Sequence, residues 1–248
     1  MNVTLVDFTG ACHENPAKYA AAQIIFAKST RLTMEPALFT KIMDMSEEEM
    51  FKELQYIANT IPSSWEFVHY NFLITGVSRA FTHQFVRTRT ASFAQQTMRV
   101  LDVSGGPGWD YHTGPSIAGD QIESVYHSTM AEIDKAYKKM IKDGAKVEDA
   151  RGVLPTNILT NIMVSMNMRT FVEMARKRSS PRTQGEYRDV LDGMKKAAFA
   201  VHPWLKLFVE RTFDKAAKDL DAKIAELEVS QEKRIELMKL VDLMRNQS

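Results

Sequence analysis

Apolar and polar positions alternate over residues 3–9 (VTLVDFT), the two-residue period of a half-buried strand. Asn15-Pro16 follows. Proline at a first helical position sacrifices no hydrogen bond, so a helix is expected from there to about Lys28. Ser46 and Glu49 have the spacing of a capping box ahead of Met50, Leu54 and Ile57, which predicts a helix ending before Pro62. Residues 67–75 (FVHYNFLIT) read as a strand stopped at Gly76. From about Val77 to Thr88 a four-residue spacing takes over. Val77, Phe81 and Phe85 form one stripe, and Arg79, His83 and Arg87 form another roughly opposite. A helix with one core face and one polar face is expected.

Further along, 90–96 reads as a loop and 97–103 as a strand. Residues 104–119, rich in Gly, Pro and Ser, have no period. Asp120 and Glu123 open a helix with Ile122, Val125, Ile133, Tyr137 and Met140 on one side. A strand over 156–168 leads into a helix near 168–178, and another helix covers 183–200. A charged tail over about 204–248 is helical in pattern, but its heptads are not sustained. No repeat and no clean linker divides the chain. The expected fold is therefore α+β, a single domain over 1–248 with a central mixed or antiparallel sheet wrapped by helices.

Composition narrows this picture. A chain of 248 residues with 44% hydrophobic content can bury a sizeable core. Its net charge of +1 provides no global field for a nucleic acid polymer or an anionic membrane. One cysteine, Cys12, excludes an intramolecular disulfide framework. No secretory leader and no membrane-length apolar run is visible, so a cytoplasmic protein is expected.

The charge is local, and it is arginine. Of fourteen Arg, four lie in 79–99 and six in 151–188, whereas only one of eighteen Lys, Lys177, falls in either window. Ser78 to Leu101 holds no Asp or Glu. Arginine presents a planar fork of donors to phosphate or carboxylate, while lysine is a hydrated point charge. Two arginine-rich segments converging on a phosphate-bearing ligand is one reading. A solvated basic face for 78–101 and an exposed amphipathic helix for 167–188 are the others, and Arg151 also fits a cation at a helix end. The six His have no metal-ligand spacing, and no Walker, dinucleotide-binding or nucleophile-elbow motif occurs. No metal is expected.

Gly76–Arg99 (GVSRAFTHQFVRTRTASFAQQTMR) resembles the signature of the flavin-dependent thymidylate synthases: Arg-His-Arg, seven residues, then Ser. Here it reads Arg87-Thr88-Arg89, seven residues, then Thr97. Ala150–Pro155 (ARGVLP) is similar to that family's ARxVLP. Asn167-Met168-Arg169, Arg178, Gln184, Glu186 and Arg188 follow its third motif. The matches cover about 66–190. Several positions depart from the pattern. Thr88 replaces the central His, Phe67 another His, Thr97 the Ser, Val100 a usual Tyr, Glu173 a common Asn and Arg182 a common His.

The resemblance implies a homotetramer with FAD sites between subunits. NADPH would supply reducing power, and methylenetetrahydrofolate would supply the carbon passed to C5 of dUMP, giving dTMP. It implies Arg178 as the catalytic residue that stabilises the pyrimidine as an anion. It places His69, Arg87, Thr88, Arg89, Gln95, Asn167, Met168, Arg169 and Glu173 at the flavin. Gln84, Arg87, Gln96, Thr97, Met98, Arg99, Arg151 and Arg178 would meet the nucleotide, with Arg99 and Arg151 on its phosphate. The alternatives are a sister enzyme that hydroxymethylates or uses dCMP, and a non-catalytic nucleotide- or RNA-binding relative.

Overall fold

The computed structural model describes residues 1–105, 109–180, 182–210, 220, 222–227 and 230–247. Four strands form one antiparallel sheet: β1 (Asn2–Phe8), β2 (His69–Ser78), β3 (Ala91–Gln95) and β4 (Leu159–Asn167), in the order β1-β2-β4-β3. Alternation decides which way each strand faces. Tyr70, Phe72 and Ile74 on β2, with Ile162, Val164 and Met166 on β4, are buried. Leu73 and Met163, paired in register on the other face, stay partly exposed.

Ten helices are described: α1 (Pro16–Lys28), α2 (Pro36–Met43), α3 (Glu47–Thr60), α4 (Arg79–Phe85), α5 (Asp120–Lys142), α6 (Val147–Ala150), α7 (Met168–Arg178), α8 (Gly185–Val201), α9 (Lys206–Val209) and α10 (Gln231–Gln247). Their starts follow from side chains. Asn15 accepts from the Lys18 N–H at 2.9 Å ahead of Pro16, and Ser46 and Glu49 close the expected capping box on α3. The small residues Ala20, Ala21 and Ala22 let α1 sit deep in the core. Phe171 of α7 stacks on Phe72 of β2 at 5.9 Å between ring centres. Truncating a buried aromatic of this kind costs about 3–5 kcal/mol. The sheet with α1, α3, α4, α7 and α8 shares one apolar cluster, which is the expected α+β class. Among the described residues, no helix is long and apolar enough to cross a membrane.

Several elements differ from the sequence reading. The strand expected to stop at Gly76 runs on to Ser78. Gly76 takes φ +67° in a bulge, after which pairing resumes at Val77↔Thr160 and Ser78↔Leu159. Helix α4 is correspondingly shorter than 77–88. The expected loop at 90–96 is the edge strand β3, too short and too rich in small polar residues to stand out. The expected strand at 97–103 does not form. Beyond Gln95 the β3–β4 ladder ends, and Val100 and Leu101 are exposed. Helix α2 carried no clear signal. On α5, Tyr137 is buried, but Ile122 and Val125 lie exposed. Of the expected tail, α9 and α10 are helical, while 211–219, 221, 228, 229 and 248 lie outside the described residues.

Candidate functional site

Ser78 ends β2 and caps α4, so Arg79 emerges at the mouth of the Gly76 bulge. The Arg79 Nη1 is buried and has no hydrogen-bond partner. Burial, and then the neighbouring Arg151, push the Arg79 guanidinium below its ordinary pKa. Arg151 follows α6 and donates from Nε to the Glu148 carbonyl at 3.1 Å. Arg99 Nε lies 3.5 Å from a Glu148 carboxylate oxygen. Arg79 and Arg99 thus both lie near the Arg151 segment, with the Glu148 carboxylate beside Arg99. Two cations side by side are costly unless an anion bridges them. Arg79 was not among the residues expected to bind ligand. Its place in the acid-free stretch 78–101 was the available signal.

The ends of α4 and α7 meet at Tyr187, in the first turn of α8. Arg178 lies over the Tyr187 ring, 5.1 Å from its centre. Phe81 and Phe85 pack edge-on against the same ring at 5.2 and 5.9 Å. Burial raises the Tyr187 phenol above its ordinary pKa, opposed by Arg178 and Thr88. The hydroxyl makes no hydrogen bond of good geometry, but both groups face it. Thr88 is flanked by Arg87 and Arg89, whose side chains are exposed. Gln84 donates to the Gln184 amide oxygen at 2.7 Å. Phe81, Phe85 and Gln84 thus bring the start of α8 against the first arginine segment, while Arg87 and Arg89 stay exposed.

A separate corner forms where His69 of β2 stands opposite Asn167 of β4. Asn167 caps α7, its Oδ1 accepting from the Thr170 N–H at 2.9 Å. Thr170 bonds Thr90 at 2.9 Å, tying this corner to Arg89. Met168 is buried and gives its N–H to the Val68 carbonyl at 2.7 Å, so its side chain and its backbone donor are both taken up within the fold. Arg169 is held by Glu66 at 2.7 Å and Glu173 at 3.1 Å, and these bonds raise its pKa.

The remaining expected residues lie at the other end of β4. Gln95 donates to Thr82 at 2.9 Å, and Gln96 accepts from Asn161 at 3.0 Å. Thr97 accepts from the Arg99 N–H at 3.1 Å, and Met98 is half-buried. Gln95 pairs with Ile162, five residues from Asn167 along β4. At about 3.4 Å per residue that is roughly 17 Å, so one protomer does not bring Gln95 to the Asn167 corner. Cys12 is exposed in the turn before α1. Among the described residues, no cluster of His, Cys, Asp or Glu is placed to hold a metal ion.

The residues that build these corners fall within one family pattern. The model of the thymidylate synthase complementing protein family matches residues 5–204. The chain belongs to that family. Thymidylate synthase complementing proteins similar to it include the flavin-dependent thymidylate synthase of Clostridium tetani, 31% identical over 213 residues, 78% of this chain and 80% of that one. That of Nitratidesulfovibrio vulgaris is 37% identical over 161 residues, 60% of this chain and 64% of its own length. That of Sulfurisphaera tokodaii is 38% identical over 146 residues, with 56% and 54% covered. The chain therefore spans under two thirds of the length of several relatives it matches.

Proposed function

We propose that this chain is a flavin-dependent thymidylate synthase, acting as a cytoplasmic homotetramer on dUMP. The observation that carries the reading is Arg178 lying over the Tyr187 ring, against which Phe81 and Phe85 of α4 also pack, so that the two arginine segments meet. The donor set fits two phosphate-bearing ligands. Arg79 keeps a buried, unpartnered N–H edge, and Arg87 and Arg89 keep exposed guanidiniums.

FAD, when bound, supplies the hydride that completes the methyl group, with NADPH as the source of electrons and methylenetetrahydrofolate as the source of carbon. His69, Arg87, Thr88, Arg89, Gln95, Asn167, Met168, Arg169 and Glu173 would hold it. The Asn167 and Gln95 corners lie apart along β4, which suits a site assembled from more than one protomer. Partly exposed Leu73, Met163, Ile122 and Val125 offer apolar surface for such contacts.

Arg79, Arg99 and Arg151 take the nucleotide phosphate, and Gln84, Gln96, Thr97 and Met98 line the approach to its sugar and base. Arg178 faces the pyrimidine. A guanidinium is too basic to accept a proton, so its role is to stabilise negative charge as it develops on the ring, making C5 nucleophilic without a thiol. The buried Tyr187 ring beneath it orients the cation and partly shields it from water.

The test is the absorbance spectrum of the purified protein, followed by product mass spectrometry with dUMP, methylenetetrahydrofolate and NADPH. A yellow protein that yields dTMP supports the reading. A hydroxymethylated product, or turnover of dCMP alone, assigns the sister chemistry. A colourless protein that binds no FAD removes the enzyme reading.

A further inference from the structure

The two arginine segments are fastened together by hydrogen bonds between α4 and the start of α8. Glu186, in the first turn of α8, is buried. One carboxylate oxygen accepts the Ser78 N–H at 2.7 Å, and the other accepts the Ser78 hydroxyl at 2.5 Å. The same Ser78 oxygen accepts the Phe81 N–H at 3.0 Å, which caps α4. His112 Nδ1 stands 4.0 Å from the carboxylate, on the segment leading toward α5. At the other end of α4, Gln84 bonds Gln184, the residue just before α8. The start of α8 thus clasps α4 at both ends.

We propose that Glu186 is a positioning residue for phosphate recognition, acting through Ser78 to fix the direction in which Arg79 leaves the helix. The inference rests on the reading that Arg79 takes the nucleotide phosphate. Its logic is geometric. Arg79 is the residue after Ser78, and its backbone N–H is itself fixed to the Ile158 carbonyl at 3.0 Å. A buried carboxylate that accepts both Ser78 donors leaves the cap one orientation. Without it, the first turn of α4 is free to tilt, and the guanidinium loses its aim at the anion beside Arg151.

The test measures binding of dUMP and of deoxyuridine, which lacks the phosphate, by calorimetric titration. The proteins compared are wild type, Glu186→Gln, Ser78→Ala, the double variant and Ser78→Thr. Glu186→Gln and Ser78→Ala should each weaken dUMP binding about ten-fold and leave deoxyuridine binding unchanged. The double variant should be no weaker than the worse single one, because both remove one link. Ser78→Thr keeps a hydroxyl and should restore dUMP binding. If Glu186→Gln does not fold, Ser78→Ala alone carries the test, since the carboxylate keeps the backbone donor. Equal loss of both ligands, or no loss of dUMP, overturns the proposal while leaving the enzyme reading intact. A wild-type protein that binds neither ligand removes both.

Discussion

Arg178 and Tyr187 are stacked, cation over ring, at 5.1 Å. The two residues come from neighbouring helices, yet Tyr187 also touches the helix that begins the first arginine segment. The two arginine segments meet at this ring.

Arg178→Ala should therefore abolish turnover, by roughly 100-fold or more, while FAD content and melting temperature stay close to wild type. Arg178→Lys should not rescue it, because an ammonium neither stacks on Tyr187 nor spreads its charge in a plane. Steady-state dTMP formation decides this. Turnover retained in either variant would remove the assigned role.

Arg79 and Arg151 set affinity against stability. Each raises the cost of the other's charge, and burial adds to it at Arg79. Arg79→Gln should raise the melting temperature of the ligand-free protein and diminish the further rise that dUMP produces. Thermal melts with and without dUMP read both at once. A lower ligand-free melting temperature would show that Arg79 stabilises the fold.

Arg99 lies outside that crowded pair, against Glu148. Arg99→Ala should weaken dUMP binding by about 1.5–3 kcal/mol, the scale of a charge-assisted contact. Its effect on deoxyuridine should be small. An unchanged affinity for dUMP would contradict the phosphate assignment.

His202 gives the fold a pH limit. Its Nε2 faces the Thr9 carbonyl at 3.1 Å, and its Nδ1 meets the Tyr70 hydroxyl at 2.8 Å. The neutral ring donates to the first and accepts from the second, with the tautomer assigned from those partners. Burial lowers its pKa from 6.5 to about 4. Above pH 6.5 the folded and unfolded chains both hold it neutral, and its contribution is complete. Between 6.5 and about 4 the unfolded chain takes up a proton that the folded chain refuses, so stability falls with pH. Below that window the loss is constant. Denaturant midpoints across pH 4–7 should show this slope, and His202→Gln should flatten it.

Much of the layout was legible because local signals agreed with their context. Asn15-Pro16 and Ser46 with Glu49 named helix starts that tertiary packing had no reason to override. The Val77, Phe81 and Phe85 stripe is wholly buried, though Val77 turned out to lie on a strand. The misreadings share a cause. Gly76 resembles a stop but forms a bulge, and only the partner strand distinguishes the two. Residues 91–95 pair because β4 offers a free edge, while the more β-like 97–103 finds none. At the site, the two arginine windows were visible as composition. Arg79 was hidden because its role depends on Arg151, 72 positions away, and on a carboxylate at Glu186.

The central place of β4 limits how this chain can change length. It is hydrogen-bonded on both sides, with Asn161 bonded to Gln96 and Asn167 opposite His69. A single inserted residue there would swap its buried and outward faces and carry one corner away from the other. Among the described residues between Arg99 and Asp120 there is no ladder strand, so evolutionary growth or trimming should concentrate there, where it leaves the sheet undisturbed.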